Sequence, residues 1–524
     1  MSIVLLEPPR PKNPDRFEDV VNAPLSACLF TGYIASVLRK NKIDVEIVNA
    51  HLCNWSIEET IAYISKKDFR LLCVHTVYAW GNTQDVFNML YTLKLVNITS
   101  HINLYGYYPT FAYKKILVTF PFIDSVTVGE PEFTILELAK LALSEKDIPL
   151  EINIEGLASI NKNEMVIFNP RPPILELDHL PHPYREDMEL HRKKGIVTYI
   201  QGSRGCYGHC TFCYLNPFYG QANQWRGRSA KNIFEEISEL YTEHSIRNFY
   251  FSDANFFGPG KTGKDRAITL AELILANNLD IHFGFECRAN DIEEHSLSRL
   301  VIAGLTHVFL GLESGDTASL NRFKKHITVD ENKQAIQLLR EYGIEPTFGF
   351  IMFEPNSTIE SVRNNFEFLK EMGIMTKPAV TAHLLHHKQT LFKGTPDYQS
   401  LKDELTCEGV SFTDYEAIYR IKDQKVDAFS EIISNACKNA LSLLPKNFDC
   451  DGTVVSGKNA ESALLNAVNN TLIIQFEKTL ADFEANAVIY SPEEIRKTVQ
   501  KLTYEIKSVF CKHQTVSERR SVCA

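Results

Sequence analysis

The sequence predicts an α/β protein with an N-terminal doubly wound, Rossmann-like parallel sheet, a central partial (β/α)6 TIM-like barrel and a C-terminal helical domain. Three observations predict this fold. Strand-like and helical patterns alternate over residues 1–145 and again, in longer units, over residues 191–400. Prolines punctuate residues 146–190, which is typical of a linker. Beyond residue 400 the alternation stops, and helical spacing predicts a separate domain over residues 401–524.

The N-terminal segment has the pattern of an open parallel sheet with helices between its strands. Its strand candidates are Ile3–Leu6, Asp44–Val48, Leu71–His75, Ile102–Tyr105 and Ser125–Val128. Because ligands bind beyond the carboxyl ends of the strands in such a sheet, this domain has a place for a cofactor. In the linker that follows, a small hairpin is predicted across Gly156–Phe168.

The central segment has six strand candidates separated by helical patterns. They are Ile196–Gln201, Asn248–Ser252, His282–Glu286, His307–Leu312, Pro346–Met352 and Ala379–Leu385. Six such units predict an open parallel barrel, in which the reacting groups lie at the carboxyl ends of the strands. The C-terminal helices are predicted over Tyr415–Leu444, Glu461–Phe483 and Pro492–Phe510.

The composition of the 524 residues is that of an ordinary globular protein, with 44% hydrophobic and 23% charged residues. A formal net charge of −10 argues against nucleic-acid binding through phosphates. No apolar run reaches the roughly 18 residues that a membrane span needs, and the first residues lack the pattern of a signal peptide. Twelve cysteines without such a peptide predict a reducing, cytoplasmic location.

Three cysteines lie in one glycine-bearing loop directly after the first strand candidate of the barrel. Cys206, Cys210 and Cys213 follow the spacing Cys-x3-Cys-x2-Cys. Three thiolates on a four-iron cluster leave one iron open to a further ligand, whereas a four-cysteine site is closed. The same triplet can also be half of a zinc site with His209, although no second Cys-x2-Cys lies nearby.

This triplet, with the aromatic Phe212 before its last cysteine, resembles the signature of the radical S-adenosylmethionine (SAM) enzymes. The resemblance implies that the three thiolates hold a [4Fe–4S] cluster, with Phe212 beside it, and that SAM chelates the fourth iron. It further implies reductive cleavage of SAM to a 5′-deoxyadenosyl radical, which removes hydrogen from unactivated carbon. Such chemistry requires a cofactor, since no side chain supplies it.

Segments at successive strand ends resemble the SAM-binding elements of the same family. The resemblance implies SAM contacts at Ser252 and Asp253 (the amino end of SAM), Glu286 and Arg288 (the third strand), and Glu313 and Ser314 (the ribose). Each residue alone also fits a salt bridge or a turn at the barrel rim. The family's usual Gly-Gly-Glu is replaced here by Ser-Asp-Ala-Asn, the form of the cobalamin-associated branch.

The N-terminal segment resembles the cobalamin-binding domain that precedes many radical SAM barrels. The resemblance lies in Val126–Thr134 and in Leu177–Pro183, which is similar to the linker before the barrel. It implies that Thr76–Trp80 meets the lower face of cobalt, where Tyr78 and Trp80 either shield the metal or fill its space. The Asp-x-His-x-x-Gly motif that supplies a histidine to cobalt elsewhere is missing, so cobalamin binding stays open.

Together the two resemblances imply a cobalamin-dependent radical SAM methyltransferase acting on an unactivated carbon of a small molecule or natural product. They also imply an electron donor such as flavodoxin or ferredoxin. The alternative is a radical SAM dehydratase, rearrangement or oxidation enzyme without methyl transfer. An RNA methylthiotransferase would use Cys28, Cys53 and Cys73, whose surroundings do not match, and a non-enzymatic metal-binding protein would leave the strand-end segments unexplained. No catalytic side chain is assigned, and His386–Lys388 fit a solvated rim.

Overall fold

The computed structural model describes residues 2–10, 29–77, 83–97, 99–144, 148–149, 152–186, 188–194, 197–220, 225–403, 410–413, 415–443, 459–485 and 491–513. Their buried apolar side chains form two hydrophobic cores. One belongs to the N-terminal sheet, and the other joins the barrel to the C-terminal helices. In this part of the chain, no helix is long and apolar enough to cross a membrane.

The N-terminal domain is a seven-stranded sheet in the order β2-β1-β3-β4-β5-β6-β7. Its strands are β1 (Ser2–Glu7), β2 (Val45–Asn49), β3 (Phe69–His75), β4 (His101–Tyr105), β5 (Ser125–Thr127), β6 (Leu157–Ile160) and β7 (Val166–Phe168). Its helices are α1 (Phe30–Lys40), α2 (Ile57–Ile64), α3 (Thr83–Val96), α4 (Tyr107–Thr119) and α5 (Glu132–Ser144). The first five strands are parallel, which confirms the predicted open α/β sheet.

The predicted hairpin is present and adds two antiparallel strands, β6 and β7, to the edge of this sheet. The sheet therefore continues beyond residue 145. The rest of the linker runs between the two domains: the Tyr184 N–H donates to the Gly32 carbonyl of α1, and Asp178 accepts from the Ser229 N–H on the barrel side.

The central domain is a five-stranded parallel sheet in the order β8-β11-β12-β13-β14, with a separate two-stranded ladder of β9 and β10. The strands are β8 (Thr198–Ile200), β9 (Ser203–Arg204), β10 (Arg226–Gly227), β11 (Asn248–Phe251), β12 (His282–Arg288), β13 (Leu305–Glu313) and β14 (Thr347–Phe350). The helices are α6 (Met188–Lys194), α7 (Leu215–Tyr219), α8 (Ala230–His244), α9 (Gly260–Ala276), α10 (Glu294–Ile302), α11 (Thr317–Arg322), α12 (Val329–Glu341) and α13 (Ile359–Glu371).

The sixth predicted strand, Ala379–Leu385, is wrong because these residues form helix α14 (Pro378–His386). A continuous apolar run fits a buried helix as well as a buried strand. Pro378 decides between them, because proline is well suited to the first turn of a helix. The sixth position of the barrel is reduced to one parallel bridge between Phe353 and Lys388.

The C-terminal part packs helices on the barrel. It contains β15 (Leu391–Phe392), α15 (Pro396–Asp403), β16 (Ser411–Phe412), β17 (Glu416–Ile418), α16 (Gln424–Leu443), α17 (Asn459–Ala485) and α18 (Pro492–His513). The prediction of a helix from Tyr415 is wrong at its start, because β17 pairs with β15 and β16. Asp423 accepts the N–H groups of Lys425 and Val426 and so begins α16. Cys511 in α18 is disulfide-bonded.

Candidate active site

The three candidate cluster cysteines lie on a loop that is closed at its neck by the β9–β10 ladder. Arg204 pairs with Arg226, and Ser203 pairs with Gly227, in antiparallel register. We call residues 203–227 the cysteine loop; within it, residues 221–224 are outside the described part of the chain. The loop follows the carboxyl end of β8, so the cysteines lie on the face of the barrel where the sequence predicts the chemistry.

The thiols of Cys206, Cys210 and Cys213 are free and partly buried. The Gly208 N–H donates to Cys206 Sγ at 3.3 Å, and Arg288 Nη1 lies 3.6 Å from Cys210 Sγ. A Cβ on Gly208 would stand 2.6 Å from Arg288 Nη1 and 3.5 Å from Cys206 Sγ. A side chain at this position would therefore displace the Arg288 guanidinium from the cysteines, whereas it would only touch the sulfur of Cys206.

The surroundings of the thiols favour binding of a metal over free thiolates. Burial raises the pKa of the Cys206 thiol, and the Gly208 N–H, Arg288 and Lys325 act against this rise. Burial also raises the pKa of Cys213. A metal that replaces the thiol protons would find the two cations in place as counter-ions of the thiolates.

The donor set of the cysteine loop fits an iron–sulfur cluster. Cys206, Cys210 and Cys213 supply three free thiols from one loop. The thiolates of a four-iron cluster bind different irons, and three of them leave the fourth iron open to a further ligand. A closed tetrahedral zinc site would need a fourth protein ligand.

Two carboxylates lie at neighbouring strands beside the cysteine loop, with Asp253 fully buried and Glu286 half-buried. Asp253 follows β11, and its Oδ1 accepts the Gly202 N–H at 2.6 Å, while its Oδ2 has no hydrogen-bond partner in the described part of the chain. Burial raises the pKa of Asp253 to about 6, against the nearby Arg266 cation. Burial and the Asp253 charge raise the pKa of Glu286 in β12 to about 8. Both groups would become more acidic if a cation bound between them.

Glu313 and Ser314 end β13 but have different surroundings. Glu313 has a left-handed φ of +64°, and its Oε1 lies 2.8 Å from the buried Lys325 ammonium. The Ser314 hydroxyl donates to Asn365 Oδ1 at 2.7 Å and accepts the Asp316 N–H at 3.0 Å. The Ser314 hydroxyl is therefore bound by its own chain, and its predicted contact to the ribose stays a prediction.

The remaining predicted residues surround the cysteine loop. Arg288 lies over the Tyr207 ring at 5.4 Å and donates through Nη2 to the Lys325 carbonyl. Phe212 packs edge-on against Phe323, with ring centroids 5.4 Å apart. The Ser252 hydroxyl donates to the Ile200 carbonyl at 3.4 Å. Arg288 lies against the cysteines, and its predicted contact to SAM also stays a prediction.

Sequence reasoning missed several groups of this site. Lys325, with a side chain 5% exposed, joins Glu313 to the surroundings of Cys210. Asp291 accepts both the Tyr207 hydroxyl at 2.5 Å and the Asn255 amide at 2.6 Å. The sequence contains only weak indications of these two residues. Lys325 is the second of two adjacent lysines, and Asp291 follows Arg288 by three residues.

The far end of the cysteine loop is part of the N-terminal hydrophobic core. Tyr214, directly after Cys213, packs on Tyr107 of α4 with ring centroids 4.9 Å apart. Phe218 of α7 packs on Tyr107 at 4.6 Å and on Phe30 of α1 at 5.7 Å. The loop thus carries thiols of the barrel on a backbone that is fixed to the other domain.

At the carboxyl ends of the N-terminal strands, polar side chains are bound to each other. His75 Nδ1 lies 2.9 Å from Glu7 Oε2, and the Thr31 hydroxyl contacts both Glu7 Oε1 and the Tyr105 hydroxyl. This Glu7–His75 pair was not foreseen from the sequence. Tyr78 and Trp80, which the resemblance places under cobalt, are outside the described residues.

A cavity of about 220 Å³ lies beside the cysteine loop. Its lining includes Arg322, Glu354, Gln389, Asp397 and Lys422. The Thr211 hydroxyl of the cysteine loop donates to Asp397 at 3.0 Å, which joins this cavity to the loop. Of the histidines predicted at the rim, His386 has its pKa lowered to about 4 by burial.

Residues 200–369 match the family model of the radical SAM superfamily. An uncharacterized methyltransferase of Pyrococcus horikoshii is 26% identical over 377 residues, which cover 71% of this chain and 79% of the relative. The chain spans about half the length of several other curated relatives that it matches.

Two solved structures share the fold over most of the chain. The cobalamin-dependent SAM radical enzyme OxsB, with aqua-cobalamin bound, has a TM-score of 0.69 at 18% identity and covers 96% of this chain and 84% of its own. The methyltransferase TsrM of Kitasatospora setae, with cobalamin and a [4Fe-4S] cluster bound, has a TM-score of 0.64 at 15% identity. The match covers 93% of this chain and 100% of the TsrM chain. The chain therefore contains a radical SAM domain over residues 200–369, and it shares its fold with solved radical SAM enzymes in which the barrel follows an N-terminal sheet domain.

Proposed function

We propose that this radical SAM enzyme is a cobalamin-dependent methyltransferase that acts on an unactivated carbon of a small molecule. One observation carries the proposal: the cysteine loop belongs to both domains. Its thiols lie at the strand ends of the barrel, and Tyr214 and Phe218 pack in the core of the N-terminal domain. A cofactor at the carboxyl ends of the N-terminal sheet would therefore lie next to the cluster.

The proposal assigns the cluster to Cys206, Cys210 and Cys213 and assigns the cationic groups of SAM to Asp253 and Glu286. When bound, the cluster supplies the electron that cleaves SAM to a 5′-deoxyadenosyl radical, and cobalamin supplies the methyl group. The chain itself binds and orients these groups. The Gly202 N–H holds one oxygen of Asp253, which leaves the other oxygen for the ligand.

Arg288 and Lys325 have a separate part in the proposal, which is charge neutralisation around the cluster. Both cations lie beside Cys210, and the Cys210 charge contributes to a raised pKa of each, against the opposing effect of burial. Their positive charges would therefore persist while the cluster is reduced. Tyr214 and Phe218 would exclude water on the side that faces the N-terminal domain, since both are buried.

The domain interface also has groups that fit a corrinoid. Glu132 Oε2 and the Nε and Nη2 groups of Arg226 are buried without a hydrogen-bond partner among the described residues. The rim of a corrin carries amide side chains, which supply both donors and acceptors for such groups. This fit supports the cobalamin assignment, as do the corrinoids in the OxsB and TsrM structures.

The partners follow from the same proposal. A small-molecule substrate suits the cavity beside the cysteine loop, because an apolar lining that includes Phe323 and Leu401 is combined with polar and charged side chains. A one-electron donor such as flavodoxin or ferredoxin would reduce the cluster. Nucleic acid is a poor candidate because the chain has a net charge of −10.

The test is an anaerobic reconstitution of the full chain with iron, sulfide and hydroxocobalamin, followed by absorption spectroscopy and a SAM cleavage assay. We expect cluster and corrinoid bands together, and transfer of label from methyl-labelled SAM into product. Cys210→Ala should lose the cluster absorption and all cleavage of SAM while it retains the corrinoid. Cleavage of SAM by a wild-type protein that binds no corrinoid would contradict methyl transfer and favour a radical SAM enzyme of another type.

A further inference from the structure

The neck of the cysteine loop brings two arginines together. Arg204 and Arg226 stand directly opposite each other in the β9–β10 ladder. Both side chains are buried, with exposed fractions of 1% and 7%. Like charges directly opposite each other destabilise a ladder. The neck therefore needs an anion from another part of the chain.

Glu130 of the N-terminal domain is that anion. Its Oε1 lies 2.7 Å from Arg204 Nη1, and its Oε2 lies 2.8 Å from Arg226 Nη1. Burial alone would raise the pKa of this carboxyl, but the two arginines hold it below its usual value. Glu130 is therefore ionised at neutral pH. One carboxylate thus bridges both strands of the neck.

Further groups of the N-terminal domain contact Arg204. Glu132, the first residue of α5, places Oε1 2.5 Å from Arg204 Nη2. The rings of Phe30 and Tyr33 in α1 lie 5.6 Å and 5.1 Å from the guanidinium carbon. These contacts desolvate the arginine, which strengthens its dependence on Glu130 and Glu132.

We infer that Glu130 is a positioning residue: by bridging Arg204 and Arg226, it fixes the cysteine loop to the N-terminal domain at a set separation. The bridge holds the loop both before its first cysteine and after its last one. The apolar contacts of Tyr214 and Phe218 bury surface, but they do not fix the orientation of the cysteine loop. The effect on methyl transfer rests on the proposed function, whereas the effect on the loop does not.

The separation matters because the two cofactor sites must act on one substrate. Misplacement of reacting groups by 1 Å can cost about a hundredfold in rate. If the neck opens, the loop remains linked to the barrel through β8, but it is no longer oriented toward the N-terminal sheet. The expected defect is therefore a loss of coupling between the two sites.

Glu130→Gln tests the inference, because glutamine keeps the shape but cannot hold two guanidinium groups. Glu137→Gln is the matched control: Glu137 lies on the neighbouring helix α5, and its carboxylate binds Arg171 at the surface. Both full-length variants are reconstituted and compared with wild type. The measurements are hydrogen exchange of peptides from residues 203–227, the electron paramagnetic resonance spectrum of the reduced cluster, and labelled product formed per SAM cleaved.

In Glu130→Gln we expect hydrogen exchange of the cysteine loop to rise about tenfold or more, while peptides of α8 stay unchanged. The cluster spectrum should broaden, and product per SAM cleaved should fall roughly ten- to a hundredfold. Glu137→Gln should match wild type in all three measurements.

Unchanged exchange of residues 203–227 and an unchanged spectrum in Glu130→Gln would overturn the inference. Arg226→Gln is measured in parallel as a milder variant, because it removes one of the two cations that Glu130 bridges while the pair of Glu130 with Arg204 remains. If Glu130→Gln does not fold, an unchanged loop in Arg226→Gln would overturn the inference instead. If the wild-type protein transfers no methyl group, the proposed function is contradicted but the inference about Glu130 is not. Hydrogen exchange of residues 203–227 and the cluster spectrum would still test the role of Glu130.

Discussion

Two pairs of buried carboxylates lie on either side of the cysteine loop, and they differ in where their positive charge comes from. At the domain interface, Glu130 and Glu132 face Arg204 at 2.7 Å and 2.5 Å. At the strand ends of the barrel, Asp253 is fully buried and Glu286 is half-buried, and Asp253 keeps one oxygen without a hydrogen-bond partner among the described residues. The first pair has its counter-ions in the chain, whereas the second lacks a matching set.

The pKa shifts follow this difference. The arginines lower the pKa of Glu130 despite its burial. Burial raises the pKa of Asp253 to about 6 and that of Glu286 to about 8. Nearby Arg266 does not offset the effect of burial on Asp253, and Glu286 has no cation that lowers its pKa. A buried carboxylate with a raised pKa is often found where a ligand supplies positive charge. The comparison therefore separates carboxylates whose charge is balanced by ion pairs within the chain from carboxylates that the proposed function assigns to SAM.

The largest expected effect is the loss of a counter-ion at the interface. Arg204→Met keeps much of the side-chain volume but leaves Glu132 buried without a cation. Breaking a buried ion pair in this way should lower the free energy of unfolding by about 3–5 kcal/mol. Urea unfolding followed by circular dichroism measures the change.

Arg247→Met is the control for Arg204→Met, since Arg247 pairs with Asp280 at the surface and is 52% exposed. Its substitution should change the stability by less than about 1 kcal/mol. If both variants lose the same amount, the buried interface is no more important than a surface pair, and the comparison fails.

The second effect has opposite signs for stability and for binding. Glu286→Gln removes a half-buried acid whose raised pKa no cation opposes, so at pH 9 the ligand-free protein should gain on the order of 2 kcal/mol of stability. The same substitution should weaken SAM binding about tenfold or more, because the ligand loses a buried charge partner. Thermal unfolding and equilibrium binding of SAM to the cluster-loaded protein measure the two effects. A variant that binds SAM as wild type does would remove Glu286 from the site.

The same groups set the pH dependence. The folded pKa values of Asp253 and Glu286 lie above the unfolded values of about 4. Their ionisation therefore opposes folding, and the ligand-free protein should lose stability as the pH rises from about 4 to about 8. Glu130 has a lowered pKa, so its contribution is present above its unfolded pKa and is lost only as the pH falls below it.

Binding of SAM should reverse this penalty, because a cation favours the ionised carboxylates. SAM affinity should thus rise between pH 6 and pH 8 and be accompanied by proton release. Calorimetry in buffers of different ionisation enthalpy measures the released protons, and the difference between wild type and Glu286→Gln isolates the contribution of Glu286. Equal proton release by both proteins at pH 7 would contradict the assignment.

The sequence predicted the fold class because its signals are local. Each buried strand is a short apolar run, and both sheets appear with the predicted alternation. The prediction was wrong where a local signal is ambiguous. The apolar run Ala379–Leu385 suits both a strand and a helix, and helical spacing from residue 424 was extended back to Tyr415.

The site could be predicted only where its residues form motifs. The cysteine triplet and the acids at the strand ends are adjacent in the sequence to strands that can be recognised. The bridge between Arg204 and Glu130 joins residues 74 positions apart, and no pattern along the chain links them. The position of Lys325 could not be predicted either, because its burial as a cation requires the nearby charges of Glu313 and Cys210.

The smallest expected effect concerns Ser314, which the resemblance assigns to the ribose of SAM. Its hydroxyl donates to Asn365 Oδ1 and accepts the Asp316 N–H, so its partners are provided by the chain. By the same reasoning as for the interface carboxylates, Ser314→Ala should cost about 1 kcal/mol of stability and leave SAM affinity unchanged. Asn365→Ala should cost more, because Asn365 also accepts the Gly315 N–H. A tenfold or larger loss of SAM affinity in Ser314→Ala, with normal stability, would show that a side chain with hydrogen-bond partners in the chain can still bind the ligand. The presence of such partners would then not distinguish structural side chains from ligand-binding ones.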